Sequence, residues 1–267
     1  MREVDPKYLL IFLLENLHQE LNKDNNSNQS NKDYIQLEKD SYNEKKALKN
    51  FFKEYREKNM SIISDTFYGV IRCTMKCNSC KKIKYSFQTF YLLIFHLKNI
   101  NEFNVKTRKN NKNYVLNIYD AFDFIKMENI LNIYCNNCKG IKTGIHQKII
   151  YILPKILIII LNRGINNKEF NEEFKFPKEL DLSIENYVIE SEFNTHFYLQ
   201  SVITNIGEFV KDGHFITYFR NGPNEEFLCY NDDKISKSTV KDAMSSKISE
   251  YEYERKTPYI LVYHHMN

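Results

Sequence analysis

Two short cysteine motifs constrain what this chain can fold into more than any other feature of its sequence. They are Cys77-Asn-Ser-Cys80 and Cys135-Asn-Asn-Cys138. Each motif can place two thiolates on one tight turn, and two such turns supply the four sulfurs of a closed tetrahedral site for one structural zinc ion. Free thiols on loops and two separate redox pairs are the alternative interpretations. Because 54 residues separate Cys80 from Cys135, the intervening chain must form an excursion that returns the second pair to the first.

The other two cysteines, Cys73 and Cys229, fall outside these motifs, and we expect both to pack as small apolar side chains. The first five residues include two acids and lead directly into an apolar run, unlike a secretory signal. In an intracellular chain, the C-x-x-C spacing favours metal binding over disulfides. We therefore expect a cytoplasmic or nuclear protein.

The composition excludes several classes of protein and partner. With 42% hydrophobic and 14% aromatic residues, the 267-residue chain can bury a core and is neither disordered nor fibrous. Its 38 basic and 34 acidic side chains give a net charge of +4 without a basic stripe, so nucleic acid is not the expected partner. No apolar run approaches the roughly 18 residues that a membrane helix needs, so no membrane contact is expected either.

Hydrophobic residues recur at helical spacing in three segments of the first half of the chain, Tyr8–Leu21, Ser41–Lys58 and Tyr119–Met127. The first predicted helix is apolar on most sides from Tyr8 to Leu14, so we expect a partner or a further protein segment to cover it. The polar residues Asn22–Lys32 are typical of a mobile insert, and Ile100–Tyr114 of a loop.

Short runs rich in β-branched and aromatic residues predict that the rest of the chain is mostly strands. Two extended runs between Phe67 and Leu97 surround the first cysteine motif. Further strands are predicted at Ile149–Leu153, Ile156–Leu161, Phe197–Ile206, His214–Arg220, Glu226–Tyr230 and Pro258–Tyr263. The first two of these are apolar throughout, as central strands covered on both faces are. Helices followed by an antiparallel-looking sheet indicate an α+β fold.

Several segments are similar, in the same order, to segments of the ubiquitin-specific protease (ubiquitin carboxyl-terminal hydrolase) family. Phe67–Cys80 resembles the entry into that family's zinc-bearing fingers, and Leu153–Arg163 resembles its Leu-Pro-x-x-Leu run. Gly213–Tyr218 and Phe227–Asp233 resemble its His box. Further similar segments are Asp5–Leu21, Asn59–Phe67, Glu128–Ile130, Phe174–Leu182 and Tyr259–Tyr263. The combination of motifs is specific, although no single motif is.

The resemblance implies a papain-like α+β fold with fingers, a palm and only the end of a thumb. It divides the chain into residual thumb helices with a polar insert at 1–60, zinc-bearing fingers with a connecting helix at 61–150, and a palm β-sheet with the His box at 151–267. The implied partner is ubiquitin or a ubiquitinated protein. The implied reaction is thiol-dependent hydrolysis of bonds at the C-terminal glycine of ubiquitin.

The resemblance also assigns the catalytic residues that the chain contains. His214 would activate a cysteine thiol and then protonate the leaving amine, and Asn231 or the adjacent Asp232 would orient the imidazole. Gly213 would let the C-terminal tail of ubiquitin approach closely, since a Cβ there would intrude. Asp5 stands where the family has an acid that meets the basic tail of ubiquitin.

The nucleophile that the resemblance requires has no counterpart in these residues. The family's cysteine lies in a Gly-x-x-Asn-x-Gly-Asn-Thr-Cys-Tyr pattern that precedes the segment similar to Asp5–Leu21, and the chain contains no such pattern. Four cysteines are assigned to zinc, and neither Cys73 nor Cys229 is a suitable replacement. We therefore predict that this chain alone is inactive.

Three functions remain open at this stage. The first is that of a deubiquitinase catalytic-domain fragment whose nucleophilic cysteine lies outside this sequence. The second is that of a catalytically inactive pseudo-protease that binds ubiquitin, and the third is that of a zinc-bearing scaffold without any ubiquitin function. The joint presence of Gly213, His214 and Asn231 favours the first.

Overall fold

The computed structural model of the protein describes residues 5–23, 34–107, 114–164, 172–183, 186–189, 195–207, 213–222, 226–246 and 255–266. Its helices are α1 (Pro6–Leu21), α2 (Tyr34–Asp40), α3 (Glu44–Lys58), α4 (Ile62–Phe67), α5 (Leu97–Thr107), α6 (Ile118–Lys126) and α7 (Val240–Met244). Its strands are β1 (Gly69–Cys77), β2 (Ile83–Phe90), β3 (Leu93–His96), β4 (Leu116–Asn117), β5 (Asn129–Cys135), β6 (Gly140–Ile152), β7 (Ile156–Asn162), β8 (Phe174–Lys175), β9 (Glu179–Asp181), β10 (His196–Ile206), β11 (His214–Arg220), β12 (Phe227–Asn231), β13 (Lys234–Ser238) and β14 (Lys256–His265). None of the helices within these ranges is both long and apolar enough to cross a bilayer.

A four-stranded antiparallel sheet is built from two hairpins, β1–β2 and β5–β6, in the order β2-β1-β6-β5. The cysteine motifs form the two hairpin turns, since Cys77 ends β1 and Cys135 ends β5. The register between β1 and β6 sets Cys77 opposite Gly144, so both turns lie at the same end of the sheet. The predicted excursion is confirmed, because the chain leaves this sheet after β2 and returns to it with β5.

An eight-stranded sheet has the order β13-β12-β11-β10-β14-β7-β3, and β9 also pairs with β10. Its neighbouring strands are antiparallel except β3 and β7, which are parallel. Two strands do not follow the division predicted at 150/151. β3 lies within 61–150 and yet joins this sheet, while β6 of the smaller sheet continues to residue 152.

Helices cover both faces of the eight-stranded sheet. On one face, Leu157 of β7 enters a large core that also contains Phe122 of α6. On the other face, Ile158 packs in a second core with Leu14 of α1 and Ile63 of α4. The prediction that β7 is a central strand covered on both faces is therefore confirmed, and helices packed on antiparallel sheets confirm the α+β class.

The helix predicted at Ser41–Lys58 is confirmed except for its first turn. α3 begins after Asn43, whose side chain accepts a hydrogen bond from a backbone N–H of the first turn at 3.1 Å. The other two predicted helices are confirmed as α1 and α6 to within two residues at each end. The polar insert predicted at 22–32 lies mostly outside the described residues.

The loop predicted at Ile100–Tyr114 is wrong in its first half, where the chain forms α5. Leu97 and Ile100 are completely buried in the larger core. The rings of Phe103 in α5 and Phe124 in α6 pack edge to face with centroids 5.6 Å apart. Because this segment is rich in Asn and Lys, its hydrophobic pattern is weak, and packing against α6 stabilises the helix instead.

α1 is covered on one side only. Leu14 is buried against the eight-stranded sheet, whereas six other apolar side chains of the helix are at least 42% exposed. They are Tyr8, Leu9, Phe12, Leu13, Leu17 and Leu21. The exposed apolar face expected from the sequence is present among the described residues, and the partner or segment that would cover it stays a prediction.

Gly144 of β6 has close neighbours on both adjacent strands, β5 and β1. A Cβ at this position would stand 2.4 Å from Cδ1 of Ile133 and 2.9 Å from the carbonyl oxygen of Lys76. We expect Gly144→Ala to lower the free energy of unfolding by about 2 kcal/mol, measured by urea denaturation, because the added methyl group overpacks the sheet. Gly140→Ala in the same strand is the control, since a Cβ there meets nothing within 4 Å. Equal stability of the two variants would contradict this expectation.

Candidate functional site

Two hairpin turns of the same shape carry the four motif cysteines. Lys81 and Lys139 directly follow the two motifs, and both adopt left-handed backbone conformations with φ of 61° and 52°. In the first turn, the N–H of Lys81 donates a hydrogen bond to the carbonyl oxygen of Cys77 at 2.9 Å. The pairing of β1 with β6 sets these matching turns side by side and brings the thiols together.

The four sulfur atoms, from Cys77, Cys80, Cys135 and Cys138, all lie within 4.8 Å of one another. The Sγ atoms of Cys80 and Cys135, which belong to different hairpins, are 3.6 Å apart. A tetrahedral zinc ion with Zn–S bonds of about 2.3 Å requires sulfurs about 3.8 Å apart. The predicted convergence of the two motifs is confirmed, and the cluster could hold a metal ion.

Hydrogen bonds spread the pKa values of these thiols apart. Backbone N–H groups, chiefly that of Cys80, lower the pKa of Cys77 to about 6. Hydrogen bonds with the other sulfurs, Cys80 first, raise the pKa of Cys138 to about 12, because its proton is shared with them. A metal cation would replace that proton, so metal binding would release protons and would weaken as the pH falls.

A histidine and an amide meet in the eight-stranded sheet. His214 begins β11, and Asn231 ends the neighbouring strand β12. The Nε2 atom of His214 lies 2.5 Å from Oδ1 of Asn231. Because that oxygen can only accept a hydrogen bond, the contact requires a proton on Nε2 and leaves the lone pair of the neutral ring on Nδ1. The imidazole is 38% exposed, and no described residue bonds to its Nδ1 atom.

Asp232 stands one residue beyond Asn231, in the turn between β12 and β13, with a left-handed φ of 53°. Its Oδ2 atom is 3.8 Å from Nε2 of His214, and its side chain is 76% exposed. This distance is too long for a hydrogen bond, so Asp232 acts on the imidazole only as a solvent-screened charge. Of the two residues predicted to orient the ring, Asn231 is the one within bonding distance.

Two glycines meet at the base of the connection between β10 and β11. Gly207 has a φ of 129°, and a Cβ on it would lie 3.1 Å from the Cα atom of Gly213. A side chain at Gly207 would therefore be both strained and crowded. Gly213, which was predicted to admit the ubiquitin tail, lies at this narrow base and directly precedes His214.

Asp5 connects α1 to the sheet that carries His214. Its carboxylate caps α1 by accepting a hydrogen bond from the N–H of Lys7 at 3.0 Å, and it accepts another from the Tyr259 hydroxyl at 2.8 Å. The Tyr259 ring packs against Phe215 with centroids 5.7 Å apart. Sequence reasoning does not identify Tyr259, because it lies 254 residues from Asp5. These contacts are internal, and the contact of Asp5 with ubiquitin stays a prediction.

The two remaining cysteines have other environments. Cys73 is 9% exposed in the larger core, and burial raises the pKa of its thiol. Cys229 is half-buried against the same core, and it pairs with Tyr218 on the neighbouring strand. The predicted packing role is confirmed for both, and no described contact joins either sulfur to His214.

Comparison with known proteins identifies the family. The family described as ubiquitin carboxyl-terminal hydrolase matches residues 1–263. The chain is 23% identical to human ubiquitin carboxyl-terminal hydrolase 2 over 263 residues, which cover 95% of this chain and 40% of that protein. It is 24% identical to Arabidopsis thaliana ubiquitin carboxyl-terminal hydrolase 21 over 205 residues, which cover 74% of this chain and 26% of the relative. It is 34% identical to bovine ubiquitin carboxyl-terminal hydrolase 4 over 98 residues, which cover 36% of this chain and 10% of the relative.

The chain therefore belongs to the ubiquitin carboxyl-terminal hydrolase family, and the resemblance inferred from its motifs is confirmed. Its helices and antiparallel sheets fit the papain-like fold of the ubiquitin-specific proteases in that family. The chain spans about 40% of the length of the human relative.

Proposed function

We propose that residues 1–267 form most of the catalytic domain of a deubiquitinase, which hydrolyses bonds at the C-terminal glycine of ubiquitin with a cysteine thiol supplied from outside these residues. One observation carries the proposal. In a chain that the family matches over residues 1–263, the Nε2 atom of His214 lies 2.5 Å from Oδ1 of Asn231. This pairing supports a general base at His214 that is oriented by Asn231.

In the proposed reaction, Nδ1 of His214 removes the proton of the thiol while Nε2–H remains bonded to Asn231. The thiolate adds to the carbonyl carbon of the ubiquitin glycine. The resulting imidazolium protonates the leaving amine, the C–N bond breaks, and a thioester remains. Water, deprotonated by the same imidazole, then cleaves the thioester to release the ubiquitin carboxylate and the thiol.

The four clustered thiols are proposed to hold one structural zinc ion. A donor set made of four protein sulfurs and closed to other ligands is the set that zinc prefers in structural sites. The ion would join the two hairpin turns and would take no part in the reaction. We accordingly assign the four-stranded sheet to the fingers, the eight-stranded sheet to the palm, and α1–α3 to the end of the thumb.

Ubiquitin binding without catalysis is the second candidate function, and one observation favours it. None of the six cysteines has a described contact with His214: four form the thiol cluster, Cys73 lies in the core, and Cys229 packs against the core opposite Tyr218. In both candidates the partner is ubiquitin or a ubiquitinated protein. The free thiols fit a reducing compartment, the cytoplasm or the nucleus.

Calorimetric titration with ubiquitin tests what the two candidates share. The 267-residue protein is expected to bind intact ubiquitin, and removing the last two glycines of ubiquitin should weaken binding by about tenfold, or about 1.4 kcal/mol. The reason is that the tail would lie beside Gly213 and His214. Absence of binding to intact ubiquitin would contradict both candidates and leave only the zinc-bearing scaffold.

A further inference from the structure

The segment that contains α2 docks onto the end of the four-stranded sheet that carries the thiols. The N–H of Tyr85 in β2 donates a hydrogen bond to the carbonyl oxygen of Ser41 at 2.7 Å. The carboxylate of Glu38 in α2 accepts hydrogen bonds from Nζ of Lys84 at 2.6 Å and from Nδ2 of Asn136 at 2.5 Å. The segment is therefore held on the sheet by a backbone hydrogen bond and by the hydrogen bonds of a charged side chain.

The two partners of Glu38 belong to different hairpins. Lys84 lies in β2, at one edge of the sheet, and Asn136 lies in the turn that follows β5, at the other edge. Each hairpin contributes two of the four thiols, and Asn136 directly follows Cys135. One carboxylate thus ties the two hairpins together at the place where their sulfurs converge.

Tyr42 lies in the same docked segment. Nζ of Lys82, two residues beyond Cys80, stands 5.8 Å from the centre of the Tyr42 ring. A second side chain of the segment therefore contacts the first hairpin beside its turn.

We infer that Glu38 is a positioning residue of the metal site, which holds the two turns at the separation that a bound ion needs. This inference rests on the zinc site proposed above. Groups that support metal ligands in this way typically change metal affinity by about 10- to 100-fold. The coupling is reciprocal, so a bound ion also holds residues 34–43 on the sheet.

Zinc transfer from the full 267-residue protein to a chromogenic chelator tests the inference. Glu38→Ala is expected to release zinc about tenfold faster than the wild type. Glu44→Ala is the matched control. It removes an ion pair of the same 2.6 Å length, between α3 and Arg72 of β1, that touches neither cysteine motif, so its release rate should equal that of the wild type.

Hydrogen exchange of the wild type gives a second measurement that does not depend on how a variant folds. When zinc is removed at a temperature below the unfolding transition, the backbone amides of residues 34–43 should exchange faster. The increase should be larger there than in α3. Equal zinc release from the wild type, Glu38→Ala and Glu44→Ala, or unchanged exchange at 34–43, would overturn the inference and leave the zinc site standing. A wild type that takes up no zinc would overturn both.

Discussion

Cys77→Ser is expected to abolish zinc binding and to lower the melting temperature by about 10 °C or more. Structural zinc contributes an apparent binding free energy of about 10–16 kcal/mol, and the loss of even a third of it shifts the Tm of a domain of this size by about 10 °C. Cys77 is 2% exposed where β1 enters its turn, so a serine there leaves a buried hydroxyl in place of a metal ligand. Elemental analysis of the purified protein and calorimetry measure the two effects.

Cys229→Ser is the matched control for this substitution. Residue 229 is only half-buried, so it tolerates a hydroxyl, and it lies outside the thiol cluster. One zinc ion per chain and a Tm within about 3 °C of the wild type are expected, since a conservative change outside the cluster costs at most about 1 kcal/mol. If Cys77→Ser instead kept its zinc and its Tm, the four thiols would not be a metal site.

The second large effect is a complete absence of reaction. The 267-residue chain is expected to form no covalent adduct with ubiquitin that carries a C-terminal electrophile, as judged by intact-protein mass spectrometry. Attack requires a thiolate beside the imidazole of His214. Cys73 is buried and the pKa of its thiol is raised, Cys229 packs against the larger core without a described contact to His214, and the other four thiols form the cluster.

Binding of unmodified ubiquitin is measured on the same preparation. If ubiquitin binds but no adduct forms, the chain lacks a nucleophile rather than the ability to bind. An adduct on Cys229 would overturn the assignment of the nucleophile to a position outside these residues.

A longer chain that includes a nucleophile should react, and its His214→Ala variant should react about 10³-fold more slowly, because the general base is lost. Reaction of that variant at an undiminished rate would remove His214 from the mechanism.

From the sequence alone, the cysteine motifs, the central strand β7 and the family could be predicted. The spacing within each motif is a local property, because two intervening residues make a turn that presents both sulfurs in the same direction. The consecutive apolar residues of β7 likewise indicate burial on both faces, and all five from Leu157 to Leu161 are buried. The order of several weak motifs identified the family that the comparisons confirm.

Only the tertiary structure decided which residues support these features. α5 is a helix because it packs against α6, although its polar sequence predicted a loop. The carboxylate of Asp5 accepts a hydrogen bond from Tyr259, which is 254 residues away in the sequence, and that of Glu38 accepts one from Asn136, which is 98 residues away. The sequence favoured Asn231 over the adjacent Asp232 for orienting His214 but left both open, and the turn after β12 sets only the amide within hydrogen-bond reach. These contacts depend on strand register and on the packing of distant segments, which no local periodicity of the sequence encodes.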